Sequence, residues 1–145
     1  MQKNFIPLFF VLFLATTGAA AQVIDTNCAT YMRPIFYSAE KGAHFTGSLD
    51  DYFKRSLPDK ANRQDGAFKI KLIIDSVGKL DCLTIENNTT NYTLEEIRRC
   101  ISGMPEWFPA MQNGYAVTFC AKIVVTVHKG KKTVSYLNEQ PYRPQ

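Results

Sequence analysis

The sequence predicts an α+β domain in two layers: a three-stranded antiparallel sheet with two helices on one of its faces. Three observations predict it. Phe68 to Ile74 and Val117 to His128 alternate apolar and polar residues, as strands with one buried face do. Leu49, Tyr52, Phe53 and Leu57, and again Leu94, Ile97, Ile101 and Met104, fall three or four apart, as on one face of a helix. The order is helix, strand, tight hairpin, strand, helix, strand, which segregates helices from a small sheet. A helical crossover would set the second and third strands parallel, so an all-antiparallel sheet requires the third strand beside the first, in the order 2-1-3.

Each element has local reasons. Ser48-Leu-Asp-Asp51 starts the first helix, with a hydroxyl to accept an orphan N–H and acids in the first turn, and Pro58 stops it. In the first strand Phe68, Ile70, Leu72 and Ile74 share one face, against Lys69, Lys71 and Ile73. Asp75-Ser-Val-Gly78-Lys is a hairpin turn, with Gly78 available for positive φ. The second strand, Leu80 to Asn87, places Leu83 and Ile85 on one face and Cys82, Thr84 and Glu86 on the other. Thr93-Leu-Glu-Glu96 is a second capping box, and Gly103 and Pro105 close that helix. Trp107 follows, able to cover the edge of the core. In the third strand Val117, Phe119, Ala121, Ile123, Val125 and Val127 form the core face. Past Lys129-Gly130 the tail, residues 131–145, is polar with two prolines and reads as an irregular extension.

The N-terminus bounds the compartment. One lysine, the apolar run Phe5 to Ala15 and an Ala19-Ala20-Ala21 exit make a cleavable secretory signal over residues 1–21, cut after Ala21. An uncleaved anchor is the alternative, since Phe5 to Ala21 is near the lower limit for spanning a bilayer. No cysteine directly follows the apolar run, so no lipid anchor is indicated, and the protein is placed in the periplasm or outside the cell. Residues 22–43 are an N-terminal extension without clear periodicity. Without Lys3 the net charge falls from +4 to +3 and is dispersed, which implies neither nucleic acid nor an anionic membrane as partner.

Four cysteines, Cys28, Cys82, Cys100 and Cys120, follow the signal, and an even number in an oxidising compartment favours two disulfides, in any of three connectivities. Under the order 2-1-3, Cys82 and Cys120 share the open face two strands apart, beyond disulfide reach. Cys28 can partner either if the N-terminal piece folds over that face, where Ile73 and Val124 also want cover from that segment or a second copy of the chain. Isolated His44 and His128 and the lack of Cys-x-x-Cys point away from metal and from thioredoxin chemistry. No Gly-x-Ser-x-Gly and no Gly-rich phosphate loop is present, so neither catalysis nor a cofactor is expected. The acid pairs Asp50-Asp51 and Glu95-Glu96 are explained by helix dipoles, and Asn87, Asn88 and Asn91 head glycosylation triplets in an Asn/Thr-rich turn.

Three stretches carry a resemblance: Gly66 to Asp75 with its Asp-x-x-Gly turn, the helix 94–104, and Met104-Pro105-x-Trp107-x-Pro109-Ala110-x-x-Asn113-Gly114. Together they resemble the TonB C-terminal domain in the form common in Bacteroidetes, over residues 44–130. The resemblance implies a periplasmic module that receives an extended peptide, a segment of an outer-membrane receptor, beside its last strand. Such β-augmentation draws affinity from unpaired main-chain groups and selectivity from side-chain pockets. The implied acceptor edge is Val117, Phe119, Ala121, Ile123, Val125 and Val127, with Leu57 and Pro58 where the family often has Tyr-Pro. This sequence lacks the usual retained anchor, the Pro-rich spacer and the Pro-Gly-Gly before the first helix, so it resembles a free-standing relative. The alternative function is a secreted, disulfide-stabilised structural or interaction protein that keeps the fold without peptide binding. That alternative predicts a third strand already covered, by the tail or by dimer contact.

Overall fold

The structure is a computed structural model that describes residues 28, 31–62 and 64–137. The predicted signal, residues 1–21, and residues 138–145 lie outside the described residues.

The chain folds as α1 (Leu49–Ser56), β1 (Gly66–Ile74), β2 (Leu80–Glu86), α2 (Leu94–Ser102), β3 (Ala110–Gln112), β4 (Tyr115–Val117), β5 (Phe119–His128) and β6 (Lys131–Tyr136). Both helices begin as their caps dictate. Ser48 Oγ accepts the Asp51 N–H at 3.2 Å, and in α2 the Thr93 side chain takes the Glu96 N–H while Glu96 takes the Thr93 N–H at 2.7 Å. Such reciprocal capping satisfies donors that the helix itself leaves unpaired.

The fold is α+β, with a four-stranded antiparallel sheet in the order β2-β1-β5-β6 and a two-stranded sheet, β3-β4. The expected three-stranded sheet is corrected by one strand. The three predicted long strands do lie in the expected sequence, β2-β1-β5, but the tail contributes β6 on the far side. The reason is local: Lys129 and Gly130 both take positive φ (49° and 79°), which makes the two-residue turn whose twist suits a hairpin. The predicted third strand is also shorter than expected. Val117 belongs to β4, paired with Ala110 across the Asn113-Gly114 turn, and the long strand starts at Phe119.

The main core lies between the sheet and the helices. Phe68, Ile70, Leu72 and Ile74 of β1 are fully buried there with Phe53 and Leu57 of the first helical unit and Ile97 and Ile101 of α2. Tyr52 Oη donates to the Cys100 carbonyl at 2.7 Å and ties the two helices together.

A second, small cluster covers part of the opposite face. Ile73, Cys82 and Cys120 are buried there under Cys28, Tyr31 and Ile35. The N-terminal extension therefore folds over the open face, and Cys28 bonds to Cys82. It then makes three isolated bridges: Phe36 with Phe119, Lys41 with Met111 and His44 with Phe108. Residues 31–43 thus supply cover for the open face and isolated bridges to the strands.

Candidate partner-binding edge

The predicted acceptor strand has the expected side-chain orientation. Phe119, Ala121, Ile123, Val125 and Val127 are all buried, in the cluster that faces the helices, and Val117 packs against that cluster from β4. Its main chain, however, is not free. In the register with β1, Phe119 pairs with Ile74 and Val127 with Gly66, so β5 is held along its whole length on that side.

The other side is closed by the chain itself. Alternation in an antiparallel pair turns the main-chain groups of Thr118, Cys120, Lys122, Val124, Thr126 and His128 away from β1. His128, Thr126 and Val124 pair with Lys131, Thr133 and Ser135 of β6. The Lys122 carbonyl accepts the Leu137 N–H at 2.8 Å. Beyond the end of β6, the Thr118 carbonyl accepts the Phe36 N–H and the Cys120 N–H donates to the Phe36 carbonyl, both at 2.9 Å. The expected open edge is therefore an interior strand, since a two-residue turn returns the tail at once and strand pairing satisfies groups that an edge would expose.

β6 is the sheet's real outer strand on this side, and it is guarded. The Val134 N–H, which points outward, donates to Asp50 Oδ1 at 2.7 Å. Lys132 turns inward, and its side chain, 1% exposed, reaches Asp59 with Nζ–Oδ1 2.9 Å. Capped main chain and inward charge are two ways by which natural sheets discourage further pairing.

Leu57 is buried and ends α1, with its N–H on the Phe53 carbonyl at 3.1 Å, so it presents no side chain to a partner. Pro58 is exposed, and its carbonyl accepts the Tyr92 hydroxyl at 2.8 Å. It borders a shallow cleft of about 430 Å³ between the helices, with Tyr52, Glu96 and Arg99. Burial holds the Tyr52 phenol above its ordinary range. In the same cleft Glu96 is held below the usual carboxylate range, first by the hydrogen bond from Lys60 and then by the Thr93 N–H.

Of the four candidate cysteines, Cys28 and Cys82 form the disulfide, while Cys100 and Cys120 are buried thiols. Burial pushes the Cys100 thiol up to about 12 and raises Cys120 as well, which suits packing rather than nucleophilic chemistry. His128 Nδ1 lies 2.7 Å from Asp65 Oδ2, but both side chains are more than half exposed beside the β5–β6 turn. His44 stacks on Phe108 with ring centroids 4.8 Å apart. Among the described residues no group of three or more His, Cys, Asp or Glu side chains could hold a metal ion, and no helix is long and apolar enough to cross a membrane.

Comparison with protein-family models, with curated proteins and with solved structures gives no match. Two of the three stretches that carried the resemblance meet in space: the Trp107 main-chain N–H donates to the Gly78 carbonyl at 2.8 Å.

Two functional elements were missed from sequence. β6 was hidden by the polarity of Lys131 and Lys132, although Lys129-Gly130 between two alternating runs is the signal for a two-residue hairpin. The pairing of residues 36–44 left no periodic trace, because each bridge uses a single residue.

Proposed function

We propose that this chain is an exported, disulfide-pinned protein-interaction module of the TonB C-terminal type, which acts by binding and not by catalysis, and whose strand β5 is kept closed by its own chain. One observation carries the reading. The outward main-chain groups of β5, from Thr118 to His128, are taken by Phe36, β6 and Leu137. A receptor peptide has no standing acceptor row there, so the alternative in which the fold is kept without that peptide site is favoured over the receptor-coupled one. The disulfide supports export, since such bonds persist in oxidising compartments. The contact between the Asp75-to-Gly78 turn and Trp107 supports the family reading, because it gives both motifs a shared structural reason.

Amide exchange followed by NMR on the full chain, with and without an extended peptide of alternating apolar residues, tests it. Protection at Cys120, Val124 and Thr126 should match that of the β1-facing amides and should not change with peptide. Rapid exchange at those three amides, or peptide-induced shifts running through both β5 and β6, would instead favour a peptide that displaces β6.

A further inference from the structure

The sheet has two outer strands, and they are treated differently. β6 is guarded by Asp50 and by the inward Lys132, as described above. β2 has neither device. In its register with β1, Cys82, Thr84 and Glu86 pair with Ile73, Lys71 and Lys69. Alternation therefore turns the main-chain N–H and C=O of Leu83 and Ile85 out of the sheet. The Thr89 N–H on the Ala67 carbonyl, 2.9 Å, shows that Ala67, like Lys69, Lys71 and Ile73, turns its main chain toward this side of β1. Among the described residues no hydrogen bond reaches those outward groups of Leu83 or Ile85. The strand contains no lysine and no proline, and its two carboxylates are already engaged, Asp81 by Arg33 at 3.9 Å and Glu86 by Lys71 at 2.6 Å.

We propose that β2 is a self-association edge that pairs antiparallel with β2 of a second copy about a two-fold axis through Thr84. The proposal takes from the preceding section only that the module works by pairing. The spacing of the exposed groups selects the occupant. Leu83 and Ile85 are two residues apart, so rotation about Thr84 sets Leu83 of one copy opposite Ile85 of the other, and vice versa. Both are then hydrogen-bonded pairs, and all four outward groups of each chain are satisfied at once. Other two-fold registers leave some of them unpaired. On the helix side, buried Leu83 and half-buried Ile85 would extend the apolar layer across the seam. On the other side Thr84, whose hydroxyl donates to Cys28 Sγ at 3.2 Å, would lie opposite Thr84 of the second copy.

The ends of the strand fit the same partner. Val77 in the turn before β2 and Leu94 at the head of α2 after it are 62% and 48% exposed. They stand at opposite ends of β2, so antiparallel pairing brings the Val77 end of one copy to the Leu94 end of the other. The assembly would be one continuous sheet, β6-β5-β1-β2 followed by β2-β1-β5-β6, with both guarded strands outermost.

Sedimentation equilibrium of the full chain tests this directly. The expected result is a dimer with a dissociation constant below about 100 μM, in the range of modest interfaces. T84E and T84K each set like charges face to face at the axis; both also remove the Thr84 hydroxyl's bond to Cys28 Sγ, 3.2 Å, so thermal unfolding of each variant is read beside its sedimentation. Each should weaken dimerisation at least about tenfold, and an equimolar mixture of the two should restore it. A chain that stays monomeric at about 100 μM, a dimer indifferent to both substitutions, or a mixture no tighter than its parts would overturn the proposal. None of those outcomes touches the closure of β5, which exchange at Cys120, Val124 and Thr126 reads separately.

Discussion

Gly78 receives the Trp107 N–H on its carbonyl at 2.8 Å, and its own α-carbon is pressed against the Trp107 main chain. Gly78 sits at φ +90°, and a β-carbon there would overlap the Trp107 carbonyl oxygen. The hairpin turn thus docks on the segment that leaves α2. Two backbones this close leave no room for adjustment, because the obstacle is main chain and not a side-chain tip. Gly78→Ala should destabilise the fold by about 4 kcal/mol or more, combining left-handed strain with a backbone clash. Thermal unfolding checks it.

Asp50 caps the outward N–H of Val134 on β6 at 2.7 Å. Asp50→Ala removes a charge-assisted bond between α1 and the outer strand. The expected loss is about 1 kcal/mol, since the freed N–H can be solvated at the surface. Faster amide exchange at Val134, with little change at Ile70, would locate the effect in β6; uniform acceleration through the sheet would contradict it.

The Cys28–Cys82 disulfide closes a loop with a sequence separation of 54. Cys28→Ser should therefore cost about 2–4 kcal/mol, chiefly by enlarging the unfolded ensemble. Thiol counting gives an independent check. Cys100 and Cys120 are buried, with the Cys100 thiol pushed up to about 12, so neither should react with a thiol reagent near neutral pH until the protein unfolds, when both should appear.

Glu96 ties the start of α2 to Lys60 at 2.7 Å and to the Thr93 N–H at 2.7 Å. Lys60 and then Thr93 lower its folded-state pKa from the ordinary 4.5. The sign follows: unfolding at acid pH takes up a proton at Glu96, so its contribution is present above pH 4.5 and is lost as pH falls through the lower, folded value. Glu96→Gln should lower stability near neutral pH and flatten the acid limb of a denaturation profile. An acid limb unchanged in slope by the substitution would show that the pair contributes nothing.

The sequence was legible where one element answers to one period. Phe68, Ile70, Leu72 and Ile74 hold one parity of the strand, and the reciprocal cap at Thr93 and Glu96 appears as Thr-x-x-Glu before an apolar stripe. The crossover rule then placed β1 between β2 and β5. It was not legible where a local rule is broken for a distant reason. Lys132 occupies a core-facing position because Asp59, far off in sequence, receives its ammonium, and that inverted polarity disguised β6 as a tail. The candidate edge followed the same fault: its side-chain orientation could be read from Phe119 to Val127, whereas the occupancy of its main chain depended on Phe36 and β6.

The sheet is two tight hairpins joined along one seam. β1–β2 and β5–β6 each close over a short turn, while β1 and β5 join residues as remote as Gly66 and Val127. Local ribbons form in microseconds, whereas a distant seam must first overcome the entropy of the intervening loop. During synthesis the first ribbon must wait, unsheltered, until the C-terminal one has been made. Under the proposed export, such a delay would keep the chain threadable.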